Sequence, residues 1–387
     1  MRRLLAVPLW TVIALCLAVV IIPRFLDRIY YRGPVTAHFD GQRFSNPDGA
    51  DDVLAARGGL LLRYLRGDDR PAWPTRYAAR AARPPARVAG EAMLATWVGH
   101  ATVLVQTQGL NILTDPVWSD TVGPFGIGPR RIAAPGIAFD DLPRIDLVLV
   151  SHNHYDHMDV PTLRRLWQRD RPMILTSLGN DAVLRAAGVA AVALDWGQGV
   201  RFPPCPAGAE CEPPLGEAIV TRNHHWGSRW FADRNRALWS SFVVRLPGGN
   251  IFFAGDTGAG DLRWADEAAR LGPVRLAILP IGAFRFQPGQ MVSGSHIGPR
   301  DAVAAYRRLG AAHGLAMHWG TFRLSYEAWD TPPRLLRLAS RCAATRGFVA
   351  VPLGVAQAVP PLAMTPRPQP SEAIEHCLDR SGAATLR

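Results

Sequence analysis

The chain contains no lysine. All 43 of its basic residues are arginine, set against 32 acidic residues, and the formal net charge is +11. Its fixed positive charge is therefore carried by guanidinium forks, which pair bidentately with phosphates and carboxylates. A base composition that favours arginine is the plainer source of the bias. The arginines form no cluster interleaved with aromatics and match no nucleic-acid module, so a nucleic-acid partner is not expected. No repeat of solenoid length occurs, which excludes a repeat architecture. A disordered chain is excluded by the 48% hydrophobic and 9% aromatic content, and 387 residues suffice for a full-sized core in one or two domains.

Cysteine is scarce, with five in the chain. Cys205 and Cys211 lie in a Pro-rich loop and could close a small disulfide, which would put the body of the protein outside the cytoplasm. Two free thiols are the alternative; a zinc site would need further sulfur or histidine nearby. Cys342 and Cys377 carry no clear signal. Cys16 lacks the small preceding residue of a lipoprotein site.

Long apolar runs are also rare. Leu4 to Ile22 is uncharged, and as a helix it would span about 28 Å, near the hydrocarbon thickness of a bilayer. Pro8 can kink such a helix and does not forbid insertion. The stretch reads as an uncleaved membrane anchor. A cleaved signal peptide competes, but Val19-Val20-Ile21-Ile22-Pro23 is too bulky for a cleavage site. Arg2 and Arg3 oppose Arg24, Arg28 and Arg32 across the segment, so charge leaves its orientation open. The expected location is the inner membrane with the body in the periplasm, the cytoplasmic face being the alternative.

The densest chemistry follows the apolar run Ile145-Asp146-Leu147-Val148-Leu149-Val150. Ser151 to Asp159 reads S-H-N-H-Y-D-H-M-D and packs His152, His154, Asp156 and His157 into one loop at a strand end. Imidazole and carboxylate suit zinc and related metals. Four ligands so close cannot all serve one tetrahedral ion that also has distant partners, so the spacing suits two adjacent metals. Four more apolar runs lead to polar tips: His224-His225-Trp226, Gly255-Asp256-Thr257, the loop carrying His296, and His318-Trp319-Gly320. In α/β proteins functional groups gather beyond the carboxyl ends of strands, so the five tips suggest one shared site. His224 competes with His225 as a ligand, and Asp256 could simply cap a turn. His38, His100, His313 and His376 have no such company and read as structural or surface residues.

These blocks resemble a known family. The H-x-H-x-D-H loop is similar to the signature of metallo-β-lactamase-fold hydrolases. Trp97-Val98-Gly99-His100-Ala101-Thr102, Thr114-Asp115-Pro116-Val117-Trp118-Ser119, Gly255-Asp256-Thr257 and His318-Trp319-Gly320-Thr321-Phe322 resemble the phospholipases D that hydrolyse N-acylphosphatidylethanolamine, and their bacterial relatives. The resemblance runs from about His38 to Pro352. It implies an α/β fold, the metallo-β-lactamase αββα sandwich, here with an N-terminal membrane segment. It implies two divalent metal ions, zinc being expected. His152, His154 and His225 would hold the first, Asp156, His157 and His318 the second, and Asp256 would bridge both. Tyr155 and His296 match substrate-contacting positions. The activity implied is phosphodiester hydrolysis of a phospholipid by a metal-activated hydroxide, with Asp256 and His296 in catalytic roles. A lactonase or another ester or amide hydrolase on the same scaffold is the alternative. Arg130-Arg131 is a candidate phosphate-binding pair. Ile281 to His296 departs from the family pattern, being richer in Gly, Ser and Gln, so the substrate mouth is expected to differ.

Four segments follow. Residues 1–34 form the anchor and connector. Residues 35–89 form an arm packed on the body, with a helical patch at Val53 to Leu65. The hydrolase domain covers 90–361, and 362–387 form a Pro-rich tail expected to be flexible. Ala92 to Gln106 and Leu110 to Thr114 read as the first strands; Val160 to Arg169, Asp181 to Ala187 and Arg300 to Leu309 read as helices.

Overall fold

The computed structural model describes residues 9–18, 21, 28–49, 71–77, 79, 81–202, 215–230, 232–286, 290, 294–362, 372–381, 383 and 386. Strands β1 (Met93–Gly99), β2 (Thr102–Thr107), β3 (Leu110–Thr114), β4 (Leu147–Val150), β5 (Met173–Ser177) and β6 (Val192–Leu194) lie side by side in one sheet. A second sheet holds β7 (Gly199–Phe202), β8 (Gly216–Thr221), β9 (Ser241–Arg245), β10 (Asn250–Phe253), β11 (Val274–Pro280), β12 (His313–Met317) and β13 (Phe348–Val349), again in spatial sequence. The last strand, β14 (Ala356–Ala358), returns to the first sheet beside β1.

Alternation of side chains explains the layering. In β4, Leu147 and Leu149 join the core shared with the second sheet, whereas Val148 and Val150 face Leu163, Leu166 and Leu184 of helices Val160–Asp170 and Asn180–Ala186. A strand buried on both faces reads as an unbroken apolar run. On the second sheet Phe252 stacks on Trp264 of helix Arg263–Ala269, with ring centroids 6.0 Å apart. Helices Pro299–Arg308 and Thr331–Cys342 bury Val303, Tyr306, Leu335 and Leu336 in the same core. Each such side chain contributes about 1.5–3 kcal/mol when removed from water. The result is the expected αββα arrangement.

Three expectations need correction. Ala92 to Gln106 is two strands rather than one, because Gly99 (φ 143°) and His100 (φ 52°) turn the backbone between them. The tail is not uniformly flexible: Glu372–Arg380 is helical, with Ile374 and Leu378 buried, four apart on one face. Cys342 and Cys377, which gave no signal in the sequence, form a disulfide with Cα atoms 5.6 Å apart, tying this helix to Thr331–Cys342. Pro-rich composition hid a helix held both by its apolar face and by a covalent bond.

Residues 9–18 are helical. Among the described residues, no helix is long and apolar enough to cross a membrane. The stretch from Leu4 to Ile22 lies partly outside the described residues, as do the helical patch at Val53 to Leu65 and the pair Cys205 and Cys211. From the arm, Phe39 and Phe44 are buried against Leu238 and Trp239. His38 Nε2 lies 2.8 Å from Asp195 and its ring stacks on Trp196, a structural role as expected.

Candidate metal centre

Parallel pairing of β3, β4 and β5, and of β10, β11 and β12, brings the carboxyl ends of both blocks to one edge of the sandwich. The loop after β4 is pinned there from two sides. Asp159 accepts from the backbone N–H groups of Trp118 and Ser119 and from the hydroxyls of Ser119 and Thr162. Arg229 donates to the carbonyls of Asn153 and Met158. Gly255, in the left-handed region at φ 59°, lets β10 pass close to this loop; a Cβ there would stand 2.5 Å from that of Ser151.

The expected ligands fall into two sets. His152, His154, His225 and Asp256 place one ligand atom each within 4.8 Å of one another. Asp156, His157 and His318 do the same, with His100 as a fourth member. Asp256 lies between the sets: its Oδ2 is 3.0 Å from His157 Nε2 and 3.9 Å from His225 Nε2, and its Oδ1 is 3.1 Å from His318 Nε2. His157 Nε2, His225 Nε2, His318 Nε2 and Asp256 Oδ1 are buried without a hydrogen-bond partner. Leaving such groups unsatisfied is costly, and convergent lone pairs of this kind are what divalent cations resolve. The donor set therefore fits two metal ions.

Hydrogen bonds on the far side of each ring fix the tautomers. Asp115 accepts from His157 Nδ1 (2.6 Å), from Ser151 Oγ (2.6 Å) and from the Ser151 N–H (2.7 Å). Because the Ser151 hydroxyl proton goes to Asp115, its oxygen accepts from His152 Nδ1 at 2.8 Å. His225 Nδ1 donates to the carbonyl of Ser295 at 2.9 Å. With Nδ1 so engaged, Nε2 is the nitrogen of each of these histidines that faces the centre. One buried carboxylate thus orients a ligand in each set. Sequence reasoning misses this role of Asp115; its position immediately after β3 is the signal that could have found it.

His100 also needs correction. It is buried and not a bystander: its Nε2 lies 2.9 Å from Asp156 Oδ2 and its ring centroid 4.0 Å from that of His318. Burial first, then the charge of His318, lowers its pKa to about 3, so it is a neutral donor to Asp156. Of the two competitors, His225 lies in the first set, whereas His224 Nδ1 pairs with Asp48 of the arm at 2.8 Å. Asp256 is buried in the centre and not at a turn surface. His296 is half-buried, with Nδ1 3.7 Å from Asp256 Oδ2. Tyr155 packs with Val117, Val122 and Phe322, and the Arg229 guanidinium covers its ring at 4.0 Å. Arg131 is consumed in holding its own loop, donating to the carbonyls of Ser119 and Val117; Arg130 beside it stays exposed.

Charge in the centre is divided. Burial dominates at His152, His154 and His225 and holds them well below the ordinary histidine value, hence neutral and ready to ligate. At His318 burial pulls down, but Asp256 and Asp156 outweigh it and the pKa rises to about 9; His157 is raised likewise by Asp256, Asp156 and Asp115. A cation that binds must displace those protons. Metal affinity is therefore expected to fall as pH drops below about 9, and calorimetry of Zn2+ binding in buffers of different ionisation enthalpy should register proton release. Binding without proton release, at constant affinity from pH 9 to 6, would contradict this division of charge.

Fold and ligand sets together define a metal-dependent hydrolase of the metallo-β-lactamase class. Residues 110–319 match the model of the beta-lactamase superfamily domain, and the chain belongs to that superfamily. It is 33% identical over 254 residues to the N-acyl-phosphatidylethanolamine-hydrolyzing phospholipase D 1 of Caenorhabditis elegans, covering 62% of this chain and 68% of that protein. It is 31% identical over 246 residues to the mitochondrial N-acyl-phosphatidylethanolamine-hydrolyzing phospholipase D of Saccharomyces cerevisiae, covering 63% of this chain but only 51% of the yeast protein. A possible metal-dependent hydrolase from Veillonella parvula shares the fold, with a TM-score of 0.53 at 17% identity, over 69% of this chain and 99% of that one.

Proposed function

We propose that the protein is a zinc-dependent phosphodiesterase of phospholipase D type that acts on N-acylphosphatidylethanolamine-like lipids. The observation that carries this reading is the pair of ligand sets sharing Asp256, in a chain whose relatives include N-acyl-phosphatidylethanolamine-hydrolysing phospholipases D. When bound, two divalent ions supply Lewis-acid polarisation of a phosphoryl oxygen and a water that ionises near neutral pH. The chain's own residues do the rest. His152, His154, His225, Asp156, His157 and His318 would hold the ions, with Asp256 as the ligand common to both sets, and Asp115 keeps Nε2 of His152 and His157 turned to the centre.

His296 stands over the centre, with its ring centroid 5.2 Å from that of His225 and 5.4 Å from that of His318. Burial first lowers its pKa to about 4, so it is neutral at pH 7 and serves as a hydrogen-bond donor to the phosphoryl group or the leaving oxygen. His296→Asn is expected to lower kcat by roughly a hundredfold or more while metal content stays unchanged. Loss of metal in that variant would move His296 into the ligand set. Tyr155, beside Arg229, is read as a wall of the headgroup site.

We further infer that the chain is attached to a membrane through its apolar N-terminal stretch, with the catalytic body in an oxidising compartment such as the periplasm. The exposed Leu9, Trp10, Val12, Leu15 and Leu17 support the attachment, and the Cys342–Cys377 disulfide supports the compartment. Tethering to the membrane raises the effective concentration of a lipid substrate.

The test is a panel of phospholipids, lactones and β-lactams given to the purified, metal-loaded enzyme, with products read by mass spectrometry in 18O-labelled water. The proposal predicts an N-acylethanolamine and a phosphatidic acid carrying the label on phosphorus. Turnover of lactones or β-lactams with no phospholipid cleaved would overturn it.

A further inference from the structure

Beside the metal centre stands a loop that the mechanism does not use. Thr121 and Arg130 close it as an antiparallel bridge, backed by the Val122 N–H bond to the Pro129 carbonyl at 3.1 Å. Its stem is tight: a Cβ on Gly123 would lie 2.0 Å from the Ile127 carbonyl, and one on Gly128 2.1 Å from that of Val122. At the tip, Phe125 takes a left-handed backbone (φ 57°) and is 84% exposed, and Ile127 is 76% exposed. A constrained stem that holds two large apolar side chains in solvent is a built feature and not a scatter of surface residues.

The surroundings indicate what covers it. Phe125 meets Trp230 edge-on at 5.6 Å, and the Arg28 guanidinium lies 5.4 Å from the same indole. Ile29, next to Arg28, is also exposed. From Thr121 to Phe139 the chain carries Arg130 and Arg131 and no acidic residue; Asp120 stands at the foot of the stem. Asp233, beside Trp230, is fully buried and taken up by Ser228, Tyr30 and backbone N–H groups. Aromatic and aliphatic tips ringed by arginine match the interfacial zone of an anionic bilayer. Arg28 also belongs to the connector that follows the apolar N-terminal stretch in the sequence. Val122 at the base of the loop packs in the same cluster as Tyr155, one residue from His154 and Asp156.

We propose that the Thr121–Arg130 loop, with Trp230 and Arg28, is a bilayer-contact surface that seats the mouth of the metal centre on anionic lipid. The proposal rests on the phospholipid reading only for why such seating matters; the contact itself is independent of it.

The experiment uses the full-length, metal-loaded protein. Hydrogen exchange of residues 121–130 is followed with phosphatidylglycerol-containing vesicles and with phosphatidylcholine vesicles. Hydrolysis is measured on vesicle-borne substrate and on a short-chain analogue dispersed as monomers, for the wild type and for Phe125→Ser/Ile127→Ser. The expected results are protection of the loop by phosphatidylglycerol vesicles and a KM on vesicles raised about tenfold or more in the variant, with monomer turnover and melting temperature unchanged. Unprotected loop amides together with an unchanged vesicle KM would overturn the proposal. Protection in a protein that cleaves no phospholipid in any form would sink the substrate reading and leave the surface standing.

Discussion

Asp256→Ala is expected to abolish hydrolysis and to strip metal from both ligand sets. Asp256 is buried, and its two oxygens approach His157 on one side and His318 on the other. Burial would raise its pKa, but the charge of His157, then of His318 and His296, holds it well below the ordinary carboxylate range. It is thus anionic throughout the working pH range, and its Oδ2 faces His225 of the first set as well as His157 of the second. Removing one partner from a buried group of charges costs about 3–5 kcal/mol. At about 1.4 kcal/mol per tenfold, that is roughly two to three and a half orders of magnitude in metal affinity. Elemental analysis and circular dichroism of the same preparation check the outcome. A folded variant that keeps two ions and more than a tenth of the activity would show that Asp256 is no bridge.

A large effect is also expected from Asp115→Asn, although Asp115 is in line to touch neither metal nor substrate. His157 Nδ1 and Ser151 Oγ both donate to Oδ2 and the Ser151 N–H donates to Oδ1, so an amide, with one acceptor oxygen, must turn its NH2 on one side or the other. The amide NH2, if turned to His157, forces its proton onto Nε2, the atom that must ligate. The Ser151 hydroxyl, without its acceptor, no longer fixes His152. Loss of such an orienting partner typically costs 10–100-fold per ligand in metal affinity or activity, and here a ligand of each set is affected. Raising Zn2+ concentration should restore much of the activity, whereas it should not rescue His296→Asn. Wild-type metal affinity in Asp115→Asn would remove Asp115 from the account.

Much of this centre could be read in the chain because its parts are local. His152, His154, Asp156 and His157 share one loop, and the runs before His225, Asp256 and His318 announce strand ends. The fold followed from the same blocks. What stayed hidden depends on three-dimensional closure. His100 reads as a lone histidine because its partners Asp156 and His318 are 56 and 218 residues away. Asp115 stands in the sequence only as one member of the Thr114–Ser119 block, because its acceptor role appears only once β3 and β4 are paired. Cys342 and Cys377, 35 residues apart, meet only because two helices pack. The choice between His224 and His225 needed Asp48, from an arm at the other end of the chain. Arg130 and Arg131 look alike in sequence, yet one donates inward and the other stands in solvent.

Metal stoichiometry is the most direct test of the central claim. Wild-type protein, loaded with Zn2+ and freed of excess, is analysed for zinc beside Asp256→Ala and His224→Ala. Two ions per chain in the wild type, two in His224→Ala and a loss in Asp256→Ala are the predicted results. One ion or none in the wild type, or two that persist without Asp256, would contradict a dinuclear centre built on that carboxylate.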